Sequence, residues 1–315
     1  MKTRNTVITV FAFILIVSGR GAFAEEVSDS KAVLVTGASS GIGLRIAETL
    51  SRNGFYVYAG ARKAADLERL DAMENVSAIQ LDVTTDEDIE AAVDFVEKQG
   101  RGLWGIVNNA GVARYSPLLS GPESDIRFTF DVNVFGPFRI NQAFAPMLLE
   151  SNGRTSIIGS INGFTPNDSD GGYAASKFAV EGYTDSLAME LADTGVHVGI
   201  VEPGSYKSEF IEKYVTQALT VQSDFVIDDE TRKSLTDIAA SSETMKDPLE
   251  VAQAVLHLMS SDAPKRRYMV TPNAEQAAFT MRLALQRILE LNEDQPYSYN
   301  RDELVALLDE LLQAN

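Results

Sequence analysis

The sequence predicts an α/β protein with a doubly wound parallel sheet of about seven strands and helices on both of its faces. Three observations support this fold class. Short apolar runs recur along the chain, a segment of helical periodicity separates most neighbouring runs, and small or polar residues follow several runs directly. Strands that alternate with helices in this rhythm form βαβ units. The carboxyl ends of such strands meet at one sheet edge, where ligands bind.

Each predicted strand is a short apolar run of the kind that is buried on both faces of a parallel sheet. The predicted strands cover residues 31–36, 55–60, 76–81, 103–107, 155–160, 196–201 and 267–271. Helical patterns cover residues 44–52, 64–73, 86–99, 124–150, 173–193, 248–260, 273–291 and 301–313. Pro137 and Pro146 are expected to disturb the helix over 124–150 locally. Residues 205–247 interrupt the rhythm and predict two amphipathic helices with a polar connection around 224–229.

The composition excludes several classes of function. Of 315 residues, 45% are apolar and 23% are charged, as in soluble globular proteins. The net charge of −18 argues against a nucleic-acid-binding surface and is explained by solubility. The chain has no cysteine, which excludes disulfides and thiolate chemistry, and it has only two histidines, His197 and His257. We therefore expect neither a nucleic-acid partner nor a metal.

The N-terminus has the pattern of a secretory signal peptide. Lys2 and Arg4 precede an apolar run from Val7 to Val17, and small residues lead to Ala24. This pattern predicts cleavage after Ala24 and export, as to a periplasm. The prediction divides the chain into a signal peptide over 1–24 and a single domain over 25–315.

A membrane anchor over residues 7–19 is the alternative to a cleaved signal. As a helix this segment would span about 20 Å, which is short of the roughly 30 Å hydrocarbon core. Cleavage is therefore the favoured prediction.

A glycine-rich segment lies between the first predicted strand and its helix. Its sequence is Gly37-Ala38-Ser39-Ser40-Gly41-Ile42-Gly43. In this position glycines let a pyrophosphate approach the backbone N–H groups at the helix N-terminus. The spacing meets the general Gly-x-Gly-x-x-Gly fingerprint only approximately, and a plain glycine turn is the alternative. Gly37, Ser39, Ser40, Gly41, Ile42 and Gly43 are the candidate phosphate-binding residues.

Tyr173 and Lys177 lie four residues apart on a predicted helix, so their side chains share a face. An unperturbed phenol has a pKa of about 10 and exchanges protons poorly at neutral pH. A neighbouring cation favours the phenolate and would lower this pKa. Taken alone, the pair is more typical of a solvated helix face than of a catalytic site.

The combined motifs resemble those of the short-chain dehydrogenase/reductase family over residues 31–271. The matching segments are Thr36–Gly43, Asn108-Asn109-Ala110-Gly111, Ser160, Tyr173-x-x-x-Lys177 and Pro203-Gly204. The resemblance implies a Rossmann fold and an oxidoreductase that interconverts an alcohol with a ketone or aldehyde. It also implies a homodimer or homotetramer formed through helices 124–150 and 173–193. A non-catalytic protein that senses NADP on this fold, and an epimerase or dehydratase on a related scaffold, are the alternatives.

The resemblance implies four catalytic roles. Tyr173 would be the general acid or base, and Lys177 would lower its pKa and hold the nicotinamide ribose. Ser160 would hold the substrate oxygen, and Asn133 would support a water for proton relay. The alternatives are that Ser160 only caps a strand end and that Asn133 is a buried amide that satisfies the backbone.

The cofactor is predicted to be NADP, with NAD as the alternative. An acid at the end of the second strand would bond the 2′-hydroxyl of NAD, but this strand ends without one. Arg62 instead offers a planar cation for a 2′-phosphate. By family likeness Asp82 and Val83 would lie along the adenine, and Ser208 replaces the family's threonine near the carboxamide. The remaining cofactor-binding candidates are Asn109, Ala110, Gly111, Pro203 and Gly204.

Residues 205–247 correspond to the family's variable substrate lid, and 273–315 form a C-terminal helical extension. Apolar lid residues predict a pocket for a lipophilic alcohol or ketone, with packing on the domain core as an equal alternative. These residues are Phe210, Ile211, Tyr214, Val215, Leu219 and Val221.

Overall fold

The seven predicted strands form one parallel sheet in the order β3-β2-β1-β4-β5-β6-β7. The computed structural model describes residues 30–166, 170–220 and 228–314. The strands are β1 (Ala32–Val35), β2 (Tyr56–Ala61), β3 (Val76–Gln80), β4 (Gly105–Asn108), β5 (Arg154–Ile158), β6 (His197–Pro203) and β7 (Arg267–Val270). The chain reverses its direction across the sheet between β1 and β4, which is the switch point where doubly wound folds bind ligands. The predicted fold class is confirmed.

The helices of the described residues begin and end close to the predicted bounds. The first six are α1 (Gly41–Arg52), α2 (Ala64–Asp71), α3 (Asp86–Gln99), α4 (Glu123–Phe130), α5 (Gly136–Glu150) and α6 (Gly171–Glu190). The later ones are α7 (Glu209–Thr220), α8 (Asp229–Ser242), α9 (Leu249–Ser260), α10 (Ala274–Asn292) and α11 (Arg301–Ala314).

Two hydrophobic cores cover the two faces of the sheet. Because side chains alternate along a strand, Val33 and Val35 of β1 face one core, while Ala32 and Leu34 face the other. Helices α1, α2 and α9 cover the first face, and α3, α5 and α6 cover the second. All four residues of β1 are buried, as the apolar run predicted.

The predicted helix over 124–150 is interrupted. A π-helical segment, Asp131–Phe135, joins α4 to α5. The side chain of Asn133 leaves this segment and bonds the backbone of Val112. Pro137 stands in the first turn of α5, directly after this interruption, so the helix is disturbed next to Pro137 as predicted. Pro146 lies inside α5, which continues to Glu150.

The lid helices α7 and α8 match the two helices predicted over 205–247. Val221 and most of the predicted polar connection lie outside the described residues, as does the predicted signal peptide. Beyond the sheet, α10 and α11 expose many apolar side chains, and α11 is exposed over nearly its whole length. Within residues 30–166, 170–220 and 228–314, no helix combines the length and apolar character needed to cross a membrane.

Candidate active site

The glycine turn between β1 and α1 is shaped by positive backbone angles and by close contact with β4. Gly37 has φ +63° and Gly41 has φ +55°, values that side-chain-bearing residues rarely adopt. A Cβ at Gly37 would lie 2.9 Å from the Cα of Ala110. Asn109 Nδ2 donates to the carbonyls of Thr36 at 2.9 Å and Gly37 at 3.0 Å. The two strand ends are therefore locked together.

The N-terminus of α1 fits the pyrophosphate of a dinucleotide. Ser40 is its N-cap, and its hydroxyl makes no capping bond to the first turn. The first backbone N–H groups of a helix lack intrahelical partners, so those of Gly41, Ile42 and Gly43 are oriented toward a ligand. A side chain at Gly43 would collide with the Asn109 amide and the Gly37 carbonyl.

Arg62 lies just after β2, as expected, but it is paired with a carboxylate. Its Nη1 lies 3.2 Å from Oδ2 of Asp82, which follows β3. Although burial raises the pKa of Asp82, hydrogen bonds from Thr84 and the Arg62 guanidinium lower it overall. Because β2 and β3 are neighbours, Arg62, which is predicted to bind a phosphate, meets the carboxylate of Asp82 at their ends. Val83 turns away from this edge and is buried in the second core.

Arg69 adds a second cation beside the glycine turn. Its guanidinium donates to the Ser39 carbonyl and lies 3.1 Å from Asp66. Lys63 follows Arg62 directly and is exposed. Three basic side chains, those of Arg62, Lys63 and Arg69, thus lie near the carboxyl end of β2.

Ser160, Tyr173 and Lys177 come together beyond the end of β5. Ser160 caps a short 3-10 turn, where its hydroxyl accepts from the Asn162 N–H at 3.1 Å. The hydroxyl also lies close enough to the Tyr173 phenol to lower the pKa of that phenol. The Lys177 ammonium lies 5.5 Å from the Tyr173 ring centroid. It is buried and donates to the Ile158 carbonyl at 2.8 Å.

Burial controls the ionisation of this site. It raises the pKa of Tyr173 well above that of a free phenol, and the hydrogen bond from Ser160 offsets only part of this rise. Burial also lowers the pKa of Lys177 to about 8, against a rise caused by Glu181. Desolvation is therefore the largest influence on both groups, and Asp170 raises the pKa of Tyr173 further.

Asn133 connects the π-helical segment to the site. Its Oδ1 accepts from the Val112 N–H at 2.8 Å, and its Nδ2 donates to the Val112 carbonyl and to Ser176 Oγ, each at 2.9 Å. Ser176 in turn donates to the Tyr173 carbonyl at 2.7 Å. A Cβ at Gly111 would lie 3.5 Å from Asn133 Oδ1 and 4.0 Å from Lys177 Nζ. The hydrogen-bonding groups of the Asn133 amide are thus paired with the Val112 backbone and Ser176, and the amide lies near Lys177.

The segment after β6 reaches back over the glycine turn. Pro203 ends β6, and the Gly204 N–H donates to the Val270 carbonyl at 2.7 Å. Ser208 lies so close to the turn that a Cβ at Gly41 would be 2.8 Å from its Cβ. The predicted cofactor residues of β1, β4 and β6 therefore line one continuous edge.

The apolar lid residues divide between two roles. Tyr214 and Val215 are buried in a cluster between α7, α8 and the segment after β4, and Ile211 and Leu219 pack against it. The Phe210 ring instead lies 5.4 Å from the Tyr173 ring, at an interplanar angle of 54°. Phe210 is thus the lid side chain that the structure places against the tyrosine.

Sequence reasoning missed a group of charges next to the site. Glu181 on α6, Glu202 on β6 and Arg267 on β7 are in contact. The available signals were the four-residue spacing of Lys177 and Glu181 and the position of Glu202 directly before Pro203. Among the described residues no group of three or more histidines or acids is arranged to hold a metal.

Comparisons with known proteins identify the family. Residues 31–219 match the short chain dehydrogenase family. The chain is 35% identical over 243 residues to the uncharacterized oxidoreductase YbbO of Escherichia coli K12, covering 76% of this chain and 86% of that protein. It is 31% identical over 275 residues to the mitochondrial D-beta-hydroxybutyrate dehydrogenase of Bos taurus, covering 79% and 80%. The chain therefore belongs to the short-chain dehydrogenase/reductase family.

A solved structure supports the same fold. A short chain dehydrogenase/reductase from Burkholderia phymatum in complex with NAD matches with a TM-score of 0.72 at 22% identity, over 86% of this chain and 99% of that chain. The protein is an oxidoreductase of this family, whose members act on small molecules. Among the solved structures of similar fold, one holds NAD and another holds 5-hydroxy-NADP.

Proposed function

We propose that the protein is an NADP-dependent oxidoreductase that interconverts an alcohol and a ketone or aldehyde. The contact of the Tyr173 phenol with the Ser160 hydroxyl, with Lys177 buried behind the ring, carries this proposal. The arrangement lies at the carboxyl edge of the sheet beside a glycine turn that fits a pyrophosphate. The dinucleotide would be held by that turn and would supply the hydride chemistry when bound.

The protein's own residues would manage the proton. Tyr173 would give its phenolic proton to the substrate oxygen during carbonyl reduction and would take it back during alcohol oxidation. Ser160, which lies beside that phenol, would orient the same oxygen. Lys177 would stabilise the phenolate, because a nearby ammonium favours the charged form. Asn133 would fix the segment after β4 against α6.

The choice of NADP is supported by the cations at the end of β2. Arg62 and Lys63 follow that strand directly, and no acid stands among the residues that end it. The nearest carboxylate, Asp82, comes from β3 and is already paired with Arg62. The Arg62 guanidinium could form charge-assisted hydrogen bonds with a 2′-phosphate, whereas a 2′-hydroxyl carries no charge to pair with it.

An apolar substrate is supported by the lid. Phe210 places an aromatic ring beside the Tyr173 phenol, where a substrate carbonyl would bind. The relative named D-beta-hydroxybutyrate dehydrogenase is consistent with a secondary alcohol as substrate.

The replacement Tyr173→Phe tests the proposal. Removing a positioned acid or base costs about 10²–10⁴ in rate, so we expect turnover to fall by about that factor. NADPH affinity, measured by fluorescence titration, should stay within about twofold, since the ring and the glycine turn are kept. Tyr183→Phe on the same helix is the matched control, because its hydroxyl contacts Asn141 rather than Ser160.

Turnover is followed through NADPH absorbance with a panel of ketones and aldehydes. Wild-type activity that survives Tyr173→Phe would overturn the assigned role of the tyrosine. Wild-type protein that binds NADPH but consumes none with any substrate of the panel would instead support a binding protein.

A further inference from the structure

A buried cluster of carboxyl and guanidinium groups lies one helical turn beyond Lys177. Arg267 of β7 donates to Glu181 of α6, lies 2.6 Å from Asp185 of α6 and 3.3 Å from Glu202 of β6. The Glu202 side chain is 4% exposed and that of Glu181 is 11% exposed. Charged groups this deeply buried require compensation from their neighbours.

Arg267 Nη1 contacts one carboxyl oxygen of Glu181 and one of Glu202, so the two buried carboxyl groups lie side by side. Two ionised carboxylates held this close repel each other, which favours a proton on one of them. Three carboxyls, from Glu181, Asp185 and Glu202, face two guanidinium groups, from Arg267 and from Arg266, which lies 3.9 Å from Asp185. The third carboxyl is balanced either by a charged Lys177 or by a proton on the glutamate pair.

Glu181 also touches the backbone that carries the catalytic candidates. A Cβ at Gly163 would lie 2.9 Å from Glu181 Oε1 and 3.3 Å from the Lys177 carbonyl. A Cβ at Gly159 would lie 3.3 Å from the same Oε1. The carboxyl group therefore fills a niche made by two glycines on either side of Ser160. Its Oε1 is buried and has no donor among the described residues.

The charged groups that face Glu181 come from three elements. Helix α6 contributes Lys177 and Asp185, β6 contributes Glu202 and β7 contributes Arg267. Burial first, and Glu202 second, raise the pKa of Glu181 to about 8, while burial lowers the pKa of Lys177 to about 8. The carboxyl group and the ammonium group therefore titrate in the same range, and the charge on each alters the other.

We propose that Glu181 is a positioning residue for Lys177, and that its shared proton with Glu202 sets the charge on the catalytic ammonium. When the pair loses its proton, ionised Glu181 becomes the counter-charge that keeps Lys177 protonated. Arg267 holds both carboxyls in place and links them to solvent through its partly exposed guanidinium. This inference rests on the proposed function, because its main readout is turnover.

The replacement Glu181→Gln tests the proposal. Glutamine keeps the shape and can donate to Glu202, but it never becomes a counter-charge. Lys177 should then lose its proton at lower pH, and the alkaline limb of kcat/KM should move down by about one pH unit. Glu202→Gln should move that limb the other way. With its competing charge gone, Glu181 ionises at lower pH and supports the ammonium more strongly.

The matched control is Asp185→Asn, which removes another Arg267 partner at the solvent-facing end of the cluster. Its side chain is 44% exposed, so its charge is screened and the limb should stay within about 0.3 units. The proposal would be overturned if the alkaline limb of kcat/KM fell at the same pH in wild type, Glu181→Gln and Glu202→Gln. Shifts of the same sign in both variants would also overturn it.

Thermal unfolding of the protein without added nucleotide provides a readout that does not depend on turnover. The folded pKa of Glu181 is raised, so ionising this group destabilises the wild type progressively from about pH 5 to pH 8. The Tm of Glu181→Gln relative to wild type should therefore rise over this range and level off above it. A difference independent of pH would contradict the shared proton. Absence of wild-type turnover would defeat the proposed function but leave this measurement intact.

Discussion

The pairing of Arg62 with Asp82 makes cofactor preference a quantitative test of the site. Arg62→Ala removes the guanidinium expected to bind a 2′-phosphate. The lost contact is a hydrogen bond between two charged groups, worth about 1.5–3 kcal/mol. The Arg62 side chain is 60% exposed, so solvent screening places the effect at the lower end of this range.

The ion pair with Asp82 reduces the gain further. Exposed pairs are worth about 0.2–1 kcal/mol, and the phosphate must share or replace this interaction. A net loss of about 0.5–1.3 kcal/mol corresponds to an increase of about two- to ninefold in the Kd of NADPH. The Kd of NADH should change by less than about twofold. Asp82→Asn should tighten NADPH by about two- to fivefold, because Arg62 no longer has a competing partner.

Both dissociation constants can be measured by calorimetry at two salt concentrations, with Arg52→Ala as the control for the loss of an exposed positive charge. Arg52 lies at the far end of α1, 4.0 Å from Glu48. The effect on NADPH should shrink as salt rises. Equal losses for NADPH and NADH in Arg62→Ala would refute the assignment of the 2′-phosphate site.

Two further replacements probe the turn and the lid. Gly37→Ala should weaken NADPH at least about tenfold and lower the Tm more than Gly100→Ala, in calorimetry and thermal melts. Gly100 has a similar φ of +68° but open space around it, so Gly100→Ala measures only the backbone strain, about 1–3 kcal/mol. Equal losses of Tm in the two variants would contradict the argument that Gly37 is held by close contact with Ala110. Phe210→Ala should raise KM for apolar carbonyl substrates by about three- to tenfold without changing the Kd of NADPH, because its ring covers Tyr173. Ile211→Ala should lower the Tm and leave KM unchanged; a rise in KM for both variants would assign the effect to the whole lid.

The sheet edge could be predicted from the sequence because one physical rule places it. Strands that alternate with helices become parallel neighbours, so residues at their carboxyl ends meet regardless of their separation in sequence. This rule brought Asn109 next to Gly37 and Ser160 next to Tyr173, as the structure shows.

Contacts that depend on side-chain reach were not predictable in the same way. The Arg62 and Asp82 pair needs the order of β2 and β3, which the alternating pattern leaves open. The contact of Glu181, Glu202 and Arg267 joins three elements that no local motif connects. The raised pKa of Tyr173 depends on desolvation in the folded protein, whereas sequence spacing shows only the nearby cation.

The lid illustrates a choice that the sequence left open. The apolar pattern over 210–221 fitted either a substrate pocket or packing on the domain. The structure assigns Tyr214 and Val215 to packing and places Phe210 against the tyrosine. Helical periodicity shows which residues share a face, but it does not show what that face contacts.

The π-helical segment Asp131–Phe135 separates the requirements of the fold from those of the site. Such a segment accommodates one extra residue while the α-helices before and after it keep their phase. Loss of one residue here would leave a regular helix that still packs on the sheet. The amide of Asn133 would no longer reach Val112. A deletion of one residue within Asp131–Phe135 is therefore expected to abolish activity while the fold is retained.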